Sequence, residues 1–547
     1  MVQKEEFKAA FTFHCRWDEA FEKEEFLATF SGEILENYIV KKRWYAGKSS
    51  HLKYIEVIDH FRIASEQELY YGVLLEVNFQ EAFFQDYFMP LAFVPQDELD
   101  TGTVIASATF NGKEGFLIDA LHQEGFRRLL FEKIVTSRND ATAKVKYHKG
   151  VQLKKVTYAT SKFMGVEQSN TSIVYNNKFV LKFFRRIYAN TNPDYEINRF
   201  LTEQGKFPYT PAYTGSINLN YGDDDITLAL MQELVPNQGD AWKYMLRILD
   251  QIFINLEKKK ITIEALPSTK LFKKQRLENL PETLTAWTGQ EIFERVTKLA
   301  NRTAQMHIAL GSETHDTAFT PTTYNSDYTV WLKNRLIYQF QNRLNTIENN
   351  LHKLKGTALA RAQEFLERKK EIRKHFLDFN WTKLKGERIR IHGDYHLGQA
   401  LVNGDDFYIL DFEGEPESTI RDRKVKQPPL KDVAGMFRSF HYAIYATIFS
   451  NPEKYGYSQE ELFKAGELLY RYLVNVFLDT YVAEAQDGNL NIGYKHEIKF
   501  MLKYCMIEKA VYELGYELNS RPAWAIIPLE GIRSIMNHNE AVMDSKI

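Results

Sequence analysis

Between residues 390 and 416 the chain reads RIHGDYHLGQALVNGDDFYILDFEGEP, gathering His392, Asp394, His396, Gln399, Asp411 and Glu413 around the short apolar run Phe407 to Leu410. An apolar run of that length, bounded by Asp and Gly, predicts a buried strand. A hairpin built on it brings Asp394 and Gln399, which precede the strand, to the same mouth as Asp411 at its end. Carboxylates and an amide oxygen there form a hard donor set that suits Mg²⁺, an ion that shares its shell with phosphate and water. Phosphoryl transfer asks for little more than such a metal, a base near the acceptor hydroxyl and positive charge on the phosphates.

An Asp, an amide a few residues on and a second Asp after a strand is the arrangement of a kinase catalytic loop. That reading demands a lysine on an upstream strand and a helical glutamate after it. NKFVLKFFRRIYANTNPDYEINRFLTE supplies both: Lys182 lies in the run Phe179 to Phe184, and Glu196 follows Asn192-Pro193 at the start of a helical pattern. Glu196 is expected to pair with Lys182 and fix its rotamer. Upstream of that strand, Gln168, Ser169, Asn170, Thr171 and Ser172 offer hydroxyl, amide and backbone N–H donors that can cradle phosphate, although the loop is poor in glycine; a plain polar hairpin turn explains them too. Residues 226 to 242, ITLALMQELVPNQGDAW, predict a strand running through Glu233 and Val235 into a turn and a helix, a hinge whose backbone can read adenine.

These residues need scaffolding on both sides. From residue 52 to about 185 short β-branched and aromatic runs alternate with turn residues, interrupted by the helical stretch ALHQEGFRRLLFEKI. From about 240 onward the apolar period is helical. LHKLKGTALARAQEFLERKKEIRKHFLDF is highly charged and predicts a solvated helix face. At 547 residues the chain has room for roughly three to four folding units. A β-rich front and a helical back predict two lobes with a cleft. Lys and Arg total 70 against 72 Asp and Glu, so no global field recruits nucleic acid or an anionic membrane. The 2 cysteines make no disulfide framework, and neither a secretion signal nor a membrane-spanning run is apparent, so a soluble, cytoplasmic protein is expected. Phe and Tyr number 38 and 31, a total that speaks for well-filled cores rather than for a stacking site.

RIHGDYHLGQALV, YILDFEGEP and PLKDVAGMFRSFHYA resemble the corresponding stretches of bacterial maltokinases, members of the aminoglycoside-phosphotransferase-like kinase superfamily. GVEQSNTS, LKFFRR, NPDYEINRFL and QELVPNQGDAW resemble the nucleotide lobe of that family, KKRWYAGK its N-terminal cap and NSRPAWAIIPLEGI its C-terminal end. The resemblance implies a bilobal, protein-kinase-like α+β fold: a β-rich cap over residues 1–92, a small nucleotide-binding lobe over 93–237 and a mainly helical acceptor lobe over 238–547. It implies ATP- and Mg²⁺-dependent phosphorylation of maltose at its anomeric hydroxyl, giving maltose 1-phosphate for α-glucan synthesis, with trehalose synthase as a partner. By motif, Asp394 is the base, Gln399 and Asp411 the Mg²⁺ ligands, Lys182 the phosphate contact and residues 168–172 the phosphate loop. The chain is longer than expected for the family, with the extra length near 330–390, where an insertion beside the acceptor site would alter the substrate.

Carboxylates are weak bases near neutral pH, so the role expected of Asp394 is to orient the sugar hydroxyl and take its proton late. His392 is expected to hold the loop, and His396 either faces the acceptor or supports the loop. Glu413 stands where the usual triplet has glycine, and either contacts sugar or metal or holds the loop through a base such as Arg438. Arg438, at helical spacing from Asp432 and Gly435, either stabilises a carboxylate or phosphoryl group or makes an internal salt bridge. Arg43, Trp44, Tyr45 and Lys48 are expected to pack the cap onto the nucleotide lobe. Competing readings are the same machinery acting on another small sugar such as glucosamine, a metallohydrolase using His392, Asp394 and His396, and a non-catalytic pseudokinase. The metallohydrolase leaves Lys182, Glu196 and Asp411 without roles, and loss of Asp394, Lys182 or Asp411 would mark a pseudokinase, whereas all three are present.

Overall fold

The computed structural model describes residues 10–64, 68–95, 104–137, 139, 143–165, 169–222, 224–312, 314–377, 384–450 and 452–543. The chain divides into two compact units, one of residues 1–199 and 211–235 and the other of residues 200–210 and 236–547. The division after Val235 lies two residues before the expected lobe boundary at 237.

The first unit holds two sheets. Strands β1 (Ala10–Phe13), β2 (Leu52–Ala64), β3 (Leu69–Phe79), β4 (Phe84–Pro95), β5 (Val104–Phe110) and β6 (Lys113–Asp119) pair in the order β1-β5-β6-β4-β3-β2. The short helices α1 (Glu24–Thr29) and α2 (Glu36–Ile39) pack their aromatic and aliphatic side chains on this sheet, with Phe26, Phe30 and Ile39 at most 1% exposed. Strands β7 (Val145–Lys149), β8 (Ser161–Phe163), β9 (Asn170–Tyr175), β10 (Phe179–Phe184), β12 (Tyr213–Tyr221) and β13 (Asp224–Glu233) form the second sheet, in the order β7-β12-β13-β10-β9-β8, with α3 (Glu124–Thr136) between the two sheets in sequence.

A cap ending at residue 92 does not match this architecture, because β4 crosses that boundary and its sheet continues to Asp119. The two sheets also share one core, in which Phe88 and Ile118 of the first meet Leu181 and Phe183 of the second. Strand β11 (Arg186–Ile187), which follows β10 almost directly, pairs with Asp86 and Tyr87 of β4. Of the four residues expected to pack the cap onto the nucleotide lobe, Trp44 and Tyr45 are buried, Trp44 lying under the Arg185 guanidinium at 5.3 Å, whereas Arg43 and Lys48 are exposed. Arg185 is itself 0% exposed and spends its charge on Asp119.

Glu76 and Asp86 face each other across β3 and β4. Burial, and then the neighbouring Glu76 charge, push the Asp86 carboxyl from 3.8 up to about 6. Between those values the folded chain holds a proton that the unfolded chain lacks, so stability falls as pH rises through the window. Asp86→Asn is therefore expected to stabilise the protein by about 1–2 kcal/mol at about pH 7.5 and far less at about pH 4. Denaturation midpoints at the two pH values check this, and an equal gain at both would refute it.

The second unit is helical: it takes in the end of α4 (Pro193–Glu203) and then α5 (Ala241–Lys258), α6 (Glu282–Thr288), α7 (Glu291–Leu310), α8 (Ser326–Asn350), α9 (Gly356–Glu367), α10 (Lys369–Leu377), α11 (Ile420–Arg423), α12 (Leu430–Ser450), α13 (Gln459–Asp487), α14 (Lys495–Ser520) and α15 (Ile526–Met543). The charged stretch expected as one helix over 351–379 is broken, with Gly356 at φ +52° and Arg368 separating α9 from α10. Strands β14 (Thr322–Thr323) and β15 (Glu387–Arg388) pair with each other, as do β16 (Ala400–Asn403) and β17 (Asp406–Ile409). The β16–β17 hairpin and the turn before it pack against α5, α7 and α12. Among the described residues no helix is long and apolar enough to cross a membrane.

Candidate active site

The loop from His392 to Gln399 is held from below by a single carboxylate. Asp432, in the first turn of α12 and 2% exposed, accepts hydrogen bonds from the backbone N–H groups of His392 at 2.8 Å and Gly393 at 2.9 Å. His307 of α7 donates to it from Nε2 at 3.1 Å, and its Nδ1 accepts from the Tyr481 hydroxyl at 2.8 Å. Burial alone would raise the Asp432 carboxyl, but His307, His392 and the Gly393 N–H hold it below its ordinary value. Gly435 lies one turn further along α12, where a Cβ would come 2.6 Å from the Tyr395 carbonyl, so only glycine lets helix and loop approach this closely. Tyr395 is buried with its hydroxyl 2.9 Å from that of Thr303, and Leu397 N–H donates to Ser439 at 3.0 Å. His392 links loop to hairpin: Nε2 donates to the Leu410 carbonyl at 3.0 Å and Nδ1 accepts from the Asp394 N–H at 3.4 Å.

The hairpin brings Gln399 and Asp411 together, the Gln399 amide N–H donating to Asp411 Oδ2 at 3.0 Å. Asp411 sits at φ +67°, a left-handed backbone that side-chain-bearing residues avoid and that tends to persist at functional positions. The amide oxygen of Gln399 and the carboxylate of Asp411 are hard donors of the type Mg²⁺ takes, so this pair fits the ion named for it.

Asp394 is 22% exposed, and its Oδ1 lies 3.2 Å from Nζ of Lys509 on α14. The same ammonium is 3.1 Å from Glu415, whose other oxygen is 3.0 Å from the Arg335 guanidinium on α8. Burial by itself would raise the Glu415 carboxyl, yet Lys509, Lys431 and Arg335 bring it down to about 2. On the other side of Asp394, His396 accepts the Gly398 N–H on Nδ1 at 3.0 Å, which leaves the neutral ring's proton on Nε2, 4.0 Å from Asp394 Oδ2. His396 thus caps the turn Leu397–Gln399 and faces the carboxylate as well. Desolvation keeps its imidazole below the ordinary histidine value.

Glu413 lies on the loop after Asp411, whose backbone Arg423 braces by donating to the carbonyls of Ser418 at 3.0 Å and Pro416 at 2.8 Å. Arg438 does not reach that loop. It is 1% exposed, donates to Glu513 at 2.9 Å and lies 3.0 Å from Nδ1 of His441, the internal ion pair that was one of its two readings.

In the first unit, Lys182 stands mid-strand on β10, paired in register with Ser172 and Leu230. Its ammonium bonds Asp194 at 2.9 Å, on the first turn of α4, the same turn that carries Glu196. Asn192 caps that turn by accepting the Asp194 N–H at 2.8 Å. The stretch expected as a phosphate loop is mostly strand: Asn170, Thr171 and Ser172 open β9, and Thr171 turns inward, 1% exposed, accepting from Arg185 at 2.9 Å. Alternation along a strand sends Thr171 to the core and its neighbours to the other face, which polarity alone did not reveal. Ser169 is exposed beside the strand, and Gln168 lies outside the described residues. Glu233 ends β13 with its N–H on the Ala212 carbonyl at 2.9 Å, and Val235 is the last residue of the first unit.

Residues 38–122 match the maltokinase N-terminal cap domain. A solved glucosamine kinase in complex with glucosamine, ADP and inorganic phosphate is similar with a TM-score of 0.60, at 15% identity over 91% of this chain and 98% of that one. The chain shares the fold of these kinases. A second solved form of glucosamine kinase gives a TM-score of 0.58 at 16% identity over 88% and 92% of the two chains, and the glucosamine kinase of Streptacidiphilus jiangxiensis is 22% identical over 366 residues, 66% of this chain and 70% of its own. At these identities the structural likeness speaks for the fold, which for this kinase-like chain is bilobal and α+β.

Sequence reading missed Asp194 beside Lys182 in the first unit, and Asp432, Glu415, Arg335 and Lys509 around the Asp394 loop in the second. A signal existed for Lys509: with Cys505, Glu508 and Tyr512 it follows the buried stripe of α14, and a lysine at an apolar-phase position asks for a buried partner.

Proposed function

We propose that this protein is an ATP- and Mg²⁺-dependent sugar kinase that phosphorylates maltose at its anomeric hydroxyl, giving maltose 1-phosphate and ADP. The observation that carries the kinase reading is the Asp394, Gln399 and Asp411 constellation on one loop and hairpin; the maltokinase-type cap over residues 38–122 favours maltose. Asp394 orients the acceptor hydroxyl and takes its proton as the sugar oxygen bonds to the γ-phosphorus and the bond to the β-phosphate oxygen breaks. Gln399 and Asp411 hold Mg²⁺, which neutralises charge on the phosphates. Lys182, oriented by Asp194, is the phosphate contact, and the segment at Glu233 and Val235 reads the adenine. His396 and Glu413 lie close enough in sequence to Asp394 and Asp411 to serve the acceptor. Association with trehalose synthase, a source of maltose, belongs to the same reading.

The relatives named glucosamine kinase favour a second reading, the same transfer to glucosamine. Discrimination between such acceptors rests on hydrogen bonds to individual hydroxyl or amino groups, not on the transfer chemistry. Sugar-dependent ADP release with ATP and Mg²⁺ separates them when measured across maltose, glucose, glucosamine and trehalose. Turnover with maltose above all others is expected. Preference for glucosamine would replace the acceptor and keep the kinase, and no sugar-dependent turnover would overturn the reading.

A further inference from the structure

Asp394 is the terminus of a chain of buried charges that begins on α8. Arg335 donates to Glu415 Oε2 at 3.0 Å and to the Ser418 hydroxyl at 3.3 Å. Glu415 Oε1 lies 3.1 Å from the Lys509 ammonium, which reaches Asp394 Oδ1 at 3.2 Å. Side-chain exposures along the path are 14% for Arg335, 10% for Glu415 and 21% for Lys509, so none of these contacts is a solvated surface pair. Glu415 and Lys509 also line a cavity of about 20 Å³, room for about one water molecule, together with Gly393, Tyr395, Lys431 and Glu508 among others.

We propose that Arg335 is a positioning residue for phosphoryl transfer, acting through Glu415 and Lys509 to set the Asp394 carboxylate. The proposal rests on the sugar-kinase reading for its kinetics and on the contacts alone for its geometry. Lysine has a long, flexible stem and three donors, so an unrestrained Lys509 would swing onto both Asp394 oxygens. Anchored by Glu415, it takes Oδ1 only and presents Oδ2, the oxygen on the His396 side, to the acceptor hydroxyl. Glu415 in turn has a fixed rotamer because Arg335 grips its other oxygen. Helix α8, in the stretch marked out by its extra length, is thereby wired to the base.

Arg335→Met removes the first link and leaves Lys509 and Lys431 to balance Glu415. The kcat for the sugar is expected to fall about 10- to 100-fold, the scale of a sub-ångström to ångström displacement at a reacting centre, with the KM for ATP unchanged. Arg335 meets Glu415 through one nitrogen, so Arg335→Lys should recover most of the loss. The double variant R335M/E415Q should be no slower than the slower single variant, because both cut the same chain. A simple structural role would instead lower the amount of folded enzyme and leave turnover per ATP-binding site intact. A crystal structure of R335M, or of R335K if the methionine variant does not fold, supplies the geometry: Lys509 displaced toward Asp394 Oδ2 in R335M, or Glu415 and Lys509 still engaged in R335K, supports the proposal. Unchanged kcat, additive losses, or a Lys509 that stays in place in R335M overturns it. If the wild type turns over with no sugar, the sugar-kinase reading falls and the Lys509 position alone decides the positioning role.

Discussion

Asp394→Asn is expected to lower kcat for sugar phosphorylation by about 100- to 10,000-fold, the range typical of losing a positioned acid–base group. The amide keeps the size of the side chain and one acceptor oxygen, so the loop has no steric reason to move. It loses the ability to take the hydroxyl proton, and its NH₂ faces the Lys509 ammonium in one of its two orientations, donor against donor. The other orientation spends the remaining oxygen on Lys509, 3.2 Å away in the wild type, and offers the acceptor a donor where it needs an acceptor. Neither satisfies both neighbours. ATP affinity should be unchanged, because the proposed nucleotide contacts lie on β10, α4 and the Glu233–Val235 segment. Steady-state kinetics with ATP titrated by fluorescence or calorimetry checks both halves. A fall of less than about tenfold in kcat would remove Asp394 from the chemical step.

What the sequence made legible follows from how far along the chain each contact reaches. Asp394, Gln399 and Asp411 sit on one loop and hairpin, so spacing and an apolar run suffice to bring Gln399 and Asp411 to 3.0 Å. The Phe179–Phe184 strand and the helix starting at Pro193 were equally plain, because period and capping are local signals. The bond from Lys182 to Asp194 at 2.9 Å was not, because Asp194 lies two residues before the glutamate that spacing suggested, and counting along a helical turn does not resolve which of its carboxylates a strand lysine meets. The end of the cap was misread for a related reason, since a strand such as β4 gives no sign of which sheet its far half joins. Lys509 and Arg335 approach the loop from helices distant in sequence. Neither was singled out, because no local motif marks a charged helix residue as the partner of a distant loop. Only the tertiary structure shows that Arg438 faces Glu513 instead of the loop at Glu413.

Asp432 touches neither of the proposed substrates and yet sets the loop that carries Asp394. Its Oδ2 accepts from the His392 N–H and from His307, and its Oδ1 from the Gly393 N–H. Asp432→Asn preserves the shape but puts an NH₂ against the Gly393 N–H or against the other pair of donors, leaving buried donors unsatisfied whichever way the amide is turned. The expected cost is about 2–3 kcal/mol of stability, the scale of a lost charge-assisted hydrogen bond with its donor still buried. Because Gly393 immediately precedes Asp394, kcat should fall by about 100-fold even in fully folded enzyme, as displacement of a reacting group by an ångström does. The pH dependence identifies the carboxylate as the cause. Since its folded value lies below the ordinary one, the Asp432 contribution is complete above the ordinary carboxylate range and is lost as pH falls through the depressed value. The stability gap between wild type and variant should therefore be full at neutral pH and begin to narrow only below about pH 4. Denaturant unfolding at several pH values, with kinetics on the folded fraction, reads both effects. A variant that keeps wild-type turnover, or a gap that survives acidification, would show that the loop is held by its other bonds: His392 to Leu410, Tyr395 to Thr303 and Leu397 to Ser439.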